Sequence, residues 1–196
     1  MWDQRYSVDE YVYGTAPNDF LAQSLPLLPP GGQALCLAEG EGRNAVFLAE
    51  KGYNVTAIDS SAVGLAKAEA LAGQRGVTIN TRAADLADFP LLAESYDLIV
   101  AIFCHLPPPL RRRVFAQIPA SLRPGGMFLL EGYTPKQLEY RTGGPPDRSL
   151  LLSLDDLQNE LAPLVFLHGK ELVREVREGS LHNGQGAVVQ VLATRQ

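Results

Sequence analysis

The chain has 196 residues, with 17 lysines and arginines against 22 aspartates and glutamates and a formal net charge of −5. That length suits one α/β domain with a sizeable core, and the acidic balance argues against a nucleic-acid partner, which calls for a basic excess or a clustered basic face. The longest apolar run, Leu98 to Cys104, is too short to span a bilayer, and the start Met1-Trp-Asp-Gln-Arg-Tyr lacks a basic stretch leading into an apolar one, so a soluble, cytoplasmic protein without a membrane partner is expected.

In chain order, Trp2, Tyr6, Tyr11 and Tyr13 crowd ahead of a helix expected over 16–28, and residues 1–30 together read as a lid and helix. That helix begins near Asn18 or Asp19 and is closed by the prolines of 26–30 and by Gly31-Gly32. A strand over 33–38, a helix over 43–51 capped by Gly52, a strand over 53–58 and an alanine-rich helix over 61–74 follow. Strands are expected over 77–82 and 96–103, the second so uniformly apolar that both its faces must be buried at the sheet centre. Leu110, Val114, Ile118 and Leu122, spaced by four, predict a helix over 108–122 kinked at Pro119. Pro124-Gly125-Gly126 turns the chain into a strand over 127–131. The polar stretch 133–150 reads as a substrate loop, Ser153 and Asp156 as a capping box, and strands over 171–178 and 187–193, joined by a loop over 179–186, as an antiparallel hairpin.

The run Leu35-Cys-Leu-Ala-Glu-Gly-Glu-Gly-Arg-Asn44 carries the densest signal. A chain leaving a buried strand turns sharply into a helix there, and Gly40 and Gly42 accept dihedrals that a side chain forbids while letting a ligand approach the backbone. Asp59, seventeen residues after Gly42, ends the next apolar run, where its carboxylate can accept from both hydroxyls of a ribose. Together they describe a nucleoside pocket at the open edge of a parallel sheet. The same Gly-x-Gly-x-x-Ala spacing, Gly40 to Ala45, also describes an NAD-dependent oxidoreductase, but nothing after residue 132 is long enough for the substrate domain that many such enzymes carry.

In sequence order the glycine loop, Asp59, Ala84-Asp85-Leu86, Tyr96-Asp-Leu-Ile99 and Leu122-Arg-Pro-Gly-Gly126 resemble the class I S-adenosylmethionine-dependent methyltransferases. Flanking segments, among them Trp2-Asp-Gln-Arg-Tyr6, Glu10-Tyr-Val-Tyr-Gly-Thr15, Thr142-Gly-Gly-Pro145 and His182-Asn-Gly184, resemble the tellurite-resistance methyltransferase subgroup and extend the likeness over nearly the whole chain. The resemblance implies a Rossmann-like α/β fold spanning 1–196 as one domain: a mostly parallel seven-stranded sheet, a C-terminal antiparallel hairpin and helices on both faces. It implies S-adenosyl-L-methionine as cofactor and a small-molecule acceptor, a tellurium or selenium oxyanion or a thiol. Carried over by position, Glu39, Gly40 and Gly42 line the methionine and ribose part, Asp59 with Ser60 holds the ribose, Asp85 accepts from the adenine amino group, Leu86 flanks the ring, and Ile102 and Phe103 face the cofactor. One departure stands out: Cys36 and Ala38 occupy positions where the family has an acid and a glycine, and Glu39 is the residue placed to compensate.

His182, Arg177 and Arg141 are the candidates for gathering an anionic acceptor or taking its proton. The bland alternative for the strand arginines is pairing of Arg174 and Arg177 with Glu171, Glu175 or Glu178. Asp85 can equally cap a local turn, Arg111-Arg-Arg113 reads as a solvated helix face, and His105 reads as a pocket wall. No metal site is expected, since His105, His168 and His182 lie far apart in sequence. A non-catalytic cofactor-binding regulator stays open, and the oligomeric state is not legible.

Overall fold

The structure, a computed structural model, describes residues 2–196. Its elements run α1 (Trp2–Tyr6), α2 (Asp19–Ser24), β1 (Gly32–Leu37), α3 (Arg43–Glu50), β2 (Tyr53–Asp59), α4 (Ala62–Gln74), β3 (Asn80–Ala83), β4 (Tyr96–Ile102), α5 (Pro108–Phe115), α6 (Ile118–Ser121), β5 (Leu122–Tyr133), α7 (Leu154–Glu160), β6 (Val165–Glu178) and β7 (His182–Thr194). One seven-stranded sheet has the order β3-β2-β1-β4-β5-β7-β6. Strands β1 to β5 pair in parallel, whereas β7 runs antiparallel to both β5 and β6.

Leu98, Ile99, Val100 and Ala101 of β4 are sealed from solvent, as expected for a central strand with both faces covered. One face packs against α2, α3 and α4 through Phe20, Leu21, Ala45, Leu48 and Leu65. The other packs against α5, α6 and α7 through Val114, Phe115, Ile118, Leu157 and Leu161. The crossovers therefore place helices on both faces, and the chain ends that leave β1, β2, β4 and β5 all open on one edge of the sheet. Among the described residues no helix is long and apolar enough to cross a membrane.

Several boundaries differ from the sequence expectation for identifiable reasons. The helix expected over 16–28 is α-helical only over Asp19–Ser24, capped by the Asn18 side chain on the Leu21 amide, and a 3-10 turn follows because Pro26 has no amide to continue the ladder. The helix expected over 108–122 breaks into α5 and α6 ahead of Pro119 instead of kinking through it. The strand expected over 77–82 is reduced to the edge strand β3. Strand β5 begins at Leu122, which pairs with Tyr96 before the register shifts. The hairpin strands are far longer than expected: Arg177 pairs with Asn183 and Arg174 with Gly186, so the polar run thought to be loop is ladder and the turn shrinks to 179–181. Cross-strand hydrogen bonding overrides polar composition there. Arg111 also departs from the solvated face assigned to it. It is buried and makes a bidentate pair with Glu160, Nε and Nη2 each donating at 2.8 Å, which ties α5 to α7.

Candidate active site

The glycine loop owes its composition to two close approaches. A Cβ on Gly42, at φ 90°, would meet the Ala68 side chain of α4, and a Cβ on Gly40, at φ 64°, would lie 2.5 Å from the Tyr6 hydroxyl. Tyr6 thus seats its ring over Gly40 and Gly64, on the glycine turn itself. Ala38 takes φ 50°, the left-handed region that a glycine there would occupy freely.

Asp59 ends β2 beside this turn, and its carboxylate accepts from the Gly40 amide at 2.9 Å and the Ser61 amide at 2.8 Å. Burial raises its pKa, against the lowering effect of those amides. Ser60, next in the chain, is exposed. Glu39 Oε1 accepts from the Asn44 and Ala45 amides at 2.9 and 2.7 Å, so it caps α3, whose N-cap residue Gly42 has no side chain to do so. Cys36, where the family carries an acid, is buried, and its thiol is pushed well up by burial and by Glu39 beside it. The carboxylate at this end of β1 is thus Glu39, three residues after Cys36 and at the α3 N-terminus.

Burial pushes the Glu39 carboxyl up to about 7 from 4.5, against the lowering effect of the α3 amides and Arg43. Between pH 4.5 and about 7 the folded protein therefore holds a proton that the unfolded chain has lost, and the contribution of Glu39 to stability declines as pH rises through that window. Glu39→Gln keeps an acceptor for α3 and removes the decline. Its thermal stability relative to the parent is expected to rise between pH 5 and pH 7.5 by about 1–3 kcal/mol; parallel melting curves across that range would refute it.

Asp85 is exposed and its Oδ1 accepts from the Ala87 amide at 2.8 Å, so it does cap a local turn, with Leu86 buried beside it. Ile102 closes β4, and Phe103 follows at φ 51° with its amide donating to Glu131 O at 2.7 Å. That left-handed residue swings the Phe103 ring into a cluster at the carboxyl edge of the sheet. Its ring centroid lies 4.6 Å from those of Tyr133, at the end of β5, and His182, at the start of β7; Tyr13 lies 4.6 Å from His182. Among the described residues the Tyr133 hydroxyl and His182 Nδ1 are buried without a hydrogen-bond partner. Burial holds the His182 imidazole neutral, pushed down to about 3, and raises the Tyr133 phenol. His105 stands behind Tyr133 as a fixed wall, Nδ1 facing Leu150 O at 2.9 Å and Nε2 accepting from the Tyr133 amide at 3.2 Å.

Two segments cover this edge. Lys67 of α4 donates to the carbonyls of Val8 and Glu10 and pairs with Glu41 of the glycine loop, strapping residues 6–13 across it. Gln137 anchors the 133–150 stretch by donating to Thr142 Oγ1 and Gly143 O and accepting from the Ala187 amide, which lays Gly143 and Gly144 against His182 and Tyr133.

Of the three catalytic candidates, only His182 reaches the cluster. Arg177 is exposed and pairs with Glu175 at 3.0 Å, and Arg141 is exposed with φ 56°. Arg174 instead enters a buried network that the spacing of residues did not reveal. It binds Glu131 through Nε and Nη2 and Glu178 at 2.9 Å; Glu178 also pairs with Arg43, and Asn18 and Gln190 donate to Glu131. The one signal in the letters was Glu131, a lone acid in an otherwise apolar strand.

Residues 34–126 match the family described as "Methyltransferase domain". Over that segment, just under half of the chain, the sequence is similar to a methyltransferase domain, and the fold is that of S-adenosylmethionine-dependent methyltransferases. Its fold is shared along its full length by a protein whose solved structure concerns the conversion of a disulfide bond into a thioacetal group during echinomycin biosynthesis (19% identity, 91% of that chain, TM-score 0.78). TehB from Haemophilus influenzae likewise covers the full length of this chain (20% identity, 67% of that chain, TM-score 0.76). A methyltransferase from Methanosarcina mazei covers 92% of this chain and 98% of its own (16% identity, TM-score 0.68). Hemagglutinin 1 of Eikenella corrodens is 33% identical over 100 residues, half of this chain; the match spans about a third of that relative's length. Three features that the resemblance assigns to the cofactor converge on one edge: the glycine turn, here covered by the Tyr6 ring, an acid at the end of β2 and a carboxylate at the α3 N-terminus.

Proposed function

We propose that the protein transfers the methyl group of S-adenosylmethionine to a small-molecule acceptor, a thiol or a tellurium or selenium oxyanion. The observation that carries this reading is the pairing, on one sheet edge, of the Asp59 and glycine turn with a cluster holding two unpartnered buried polar atoms, Tyr133 OH and His182 Nδ1. Asp59 and Ser60 hold the ribose, Gly40 and Gly42 admit it, Asp85 and Leu86 flank the adenine, and Ile102 and Phe103 face the sulfonium side. Glu39 Oε1 is committed to α3, which leaves Oε2 to receive the methionine ammonium. The bound cofactor supplies an electrophilic methyl group. The chain's own residues position the acceptor for in-line attack and exclude water. The strap over 6–13 and the Gly143-Gly144 segment open to admit ligands and close over them. Binding takes place in the cytoplasm, without nucleic acid or membrane.

The oxidoreductase reading is disfavoured by topology: the dinucleotide-binding order continues from β5 with a parallel sixth strand, whereas here antiparallel β7 is inserted between β5 and β6. Titration calorimetry tests the assignment. S-adenosylhomocysteine is expected to bind with a stoichiometry of about one and NAD not at all; the reverse would overturn it. S-adenosylhomocysteine binding without turnover of any acceptor would identify a regulator instead.

A further inference from the structure

We propose that the cluster of Tyr13, Phe103, Tyr133 and His182 is the acceptor subsite and that it selects a sulfur nucleophile, a thiol entering as its thiolate, over an oxyanion. This inference rests on the methyl-transfer reading above and names its substrate class.

The walls decide the chemistry. In this conformation the rings pack with centroids 4.6 to 5.2 Å apart, beneath Gly143 and Gly144. A ligand that parts them finds aromatic surface and two free hydrogen-bonding atoms, Tyr133 OH and His182 Nδ1. A thiolate, its single charge spread over one large sulfur, leaves water at less cost than a compact oxyanion and gains contact with ring edges. An oxyanion brings at least three strongly hydrated oxygens, more than two partners can satisfy, and an unmet buried acceptor is costly.

The charges agree. Arg43 and Arg174 near the cluster are engaged by Glu178 and Glu131, Arg5 donates to the outer hydroxyl of Tyr13, and Arg177 turns outward to Glu175. The groups that bear on His182 are Glu178, Arg43, His105 and Arg5, and burial outweighs them in keeping the imidazole neutral. Arg5 alone among these cations has a neutral partner, and of the groups named it bears least on His182; the positive charge in line with an incoming anion is the sulfonium itself, and one thiolate neutralises it.

The step balances without a protein base. The thiol releases its proton to bulk water before entry. Its sulfur lone pair then forms a bond to the methyl carbon as the methyl–sulfonium bond breaks, with that electron pair staying on the departing sulfur. Tyr133 OH and a His182 N–H donate hydrogen bonds that hold the thiolate in line.

The test compares 2-mercaptoethanol, benzenethiol and thiols of intermediate acidity with selenite and tellurite, using the full chain and following S-adenosylhomocysteine formation. Thiols are expected to show kcat/KM at least tenfold above either oxyanion, with a pH midpoint that tracks each thiol's own pKa. Tyr133→Phe, which keeps the ring, and His182→Ala are expected to lower kcat/KM for thiols tenfold or more while S-adenosylhomocysteine affinity by calorimetry stays within twofold. Adding 2-mercaptoethanol to the S-adenosylhomocysteine complex is expected to shift the His182 imidazole resonances. Faster turnover of selenite or tellurite, a pH midpoint independent of the thiol, or unaltered turnover in both variants would overturn the inference while leaving methyl transfer standing. Failure to bind S-adenosylhomocysteine would overturn both.

Discussion

Arg174→Ala is expected to destabilise the protein by about 3–5 kcal/mol, the range for removing one partner from a buried ion pair. Glu131, sealed from solvent, receives Arg174 through Nε and Nη2, the Asn18 side chain at 2.8 Å and Gln190 at 2.6 Å. Without the guanidinium its carboxylate keeps two neutral donors and loses its counter-charge, while Glu178 loses one of two arginines. In a chain of this size each kcal/mol moves Tm by about 2–4 °C, so the midpoint should fall on the order of 10 °C. Arg177→Ala is the matched control. Its partner Glu175 is solvent-exposed, and the change should stay within about 0.5 kcal/mol. Equal melting temperatures for the two variants would show that the network carries no net stability.

Asp59→Ala should weaken S-adenosylhomocysteine binding by about one to two orders of magnitude, because charge-assisted hydrogen bonds contribute about 1.5–3 kcal/mol. Two effects add. The ribose loses its acceptor, and the Gly40 and Ser61 amides lose the carboxylate that holds the glycine turn in shape. Asp59→Asn separates them: it retains a carbonyl oxygen for one amide and removes the charge, so its affinity should fall between parent and alanine variant. Calorimetry reads both, and an alanine variant that binds within twofold of the parent would remove the ribose assignment.

The meeting of the glycine turn with Asp59 was legible because it depends on local chain geometry. A strand, a glycine turn, a helix and an acid seventeen residues on are neighbours in sequence and in space. The aromatic cluster was not. Tyr13, Phe103, Tyr133 and His182 come from four separate segments, and only the placement of β7 beside β5 brings His182 to Tyr133. The same reason separates Arg174 from Arg177. Three residues apart on one strand, they point to opposite faces, and the letters do not say which face is covered.

Hydrophobic patterning and glycine positions by themselves determined the α/β order, the central burial of β4, the antiparallel hairpin and the place of Asp59, since these rest on interactions within a few residues or on one strand's periodicity. Only the tertiary structure decided the length of the hairpin, the helix-capping use of Glu39, the burial of Arg111 and the assembly of the aromatic cluster. Arg111 and the aromatic cluster depend on partners distant along the chain and Glu39 on amides five and six residues ahead, and whether a charge is solvated or paired, or a ring exposed or enclosed, is set by what the fold packs against it.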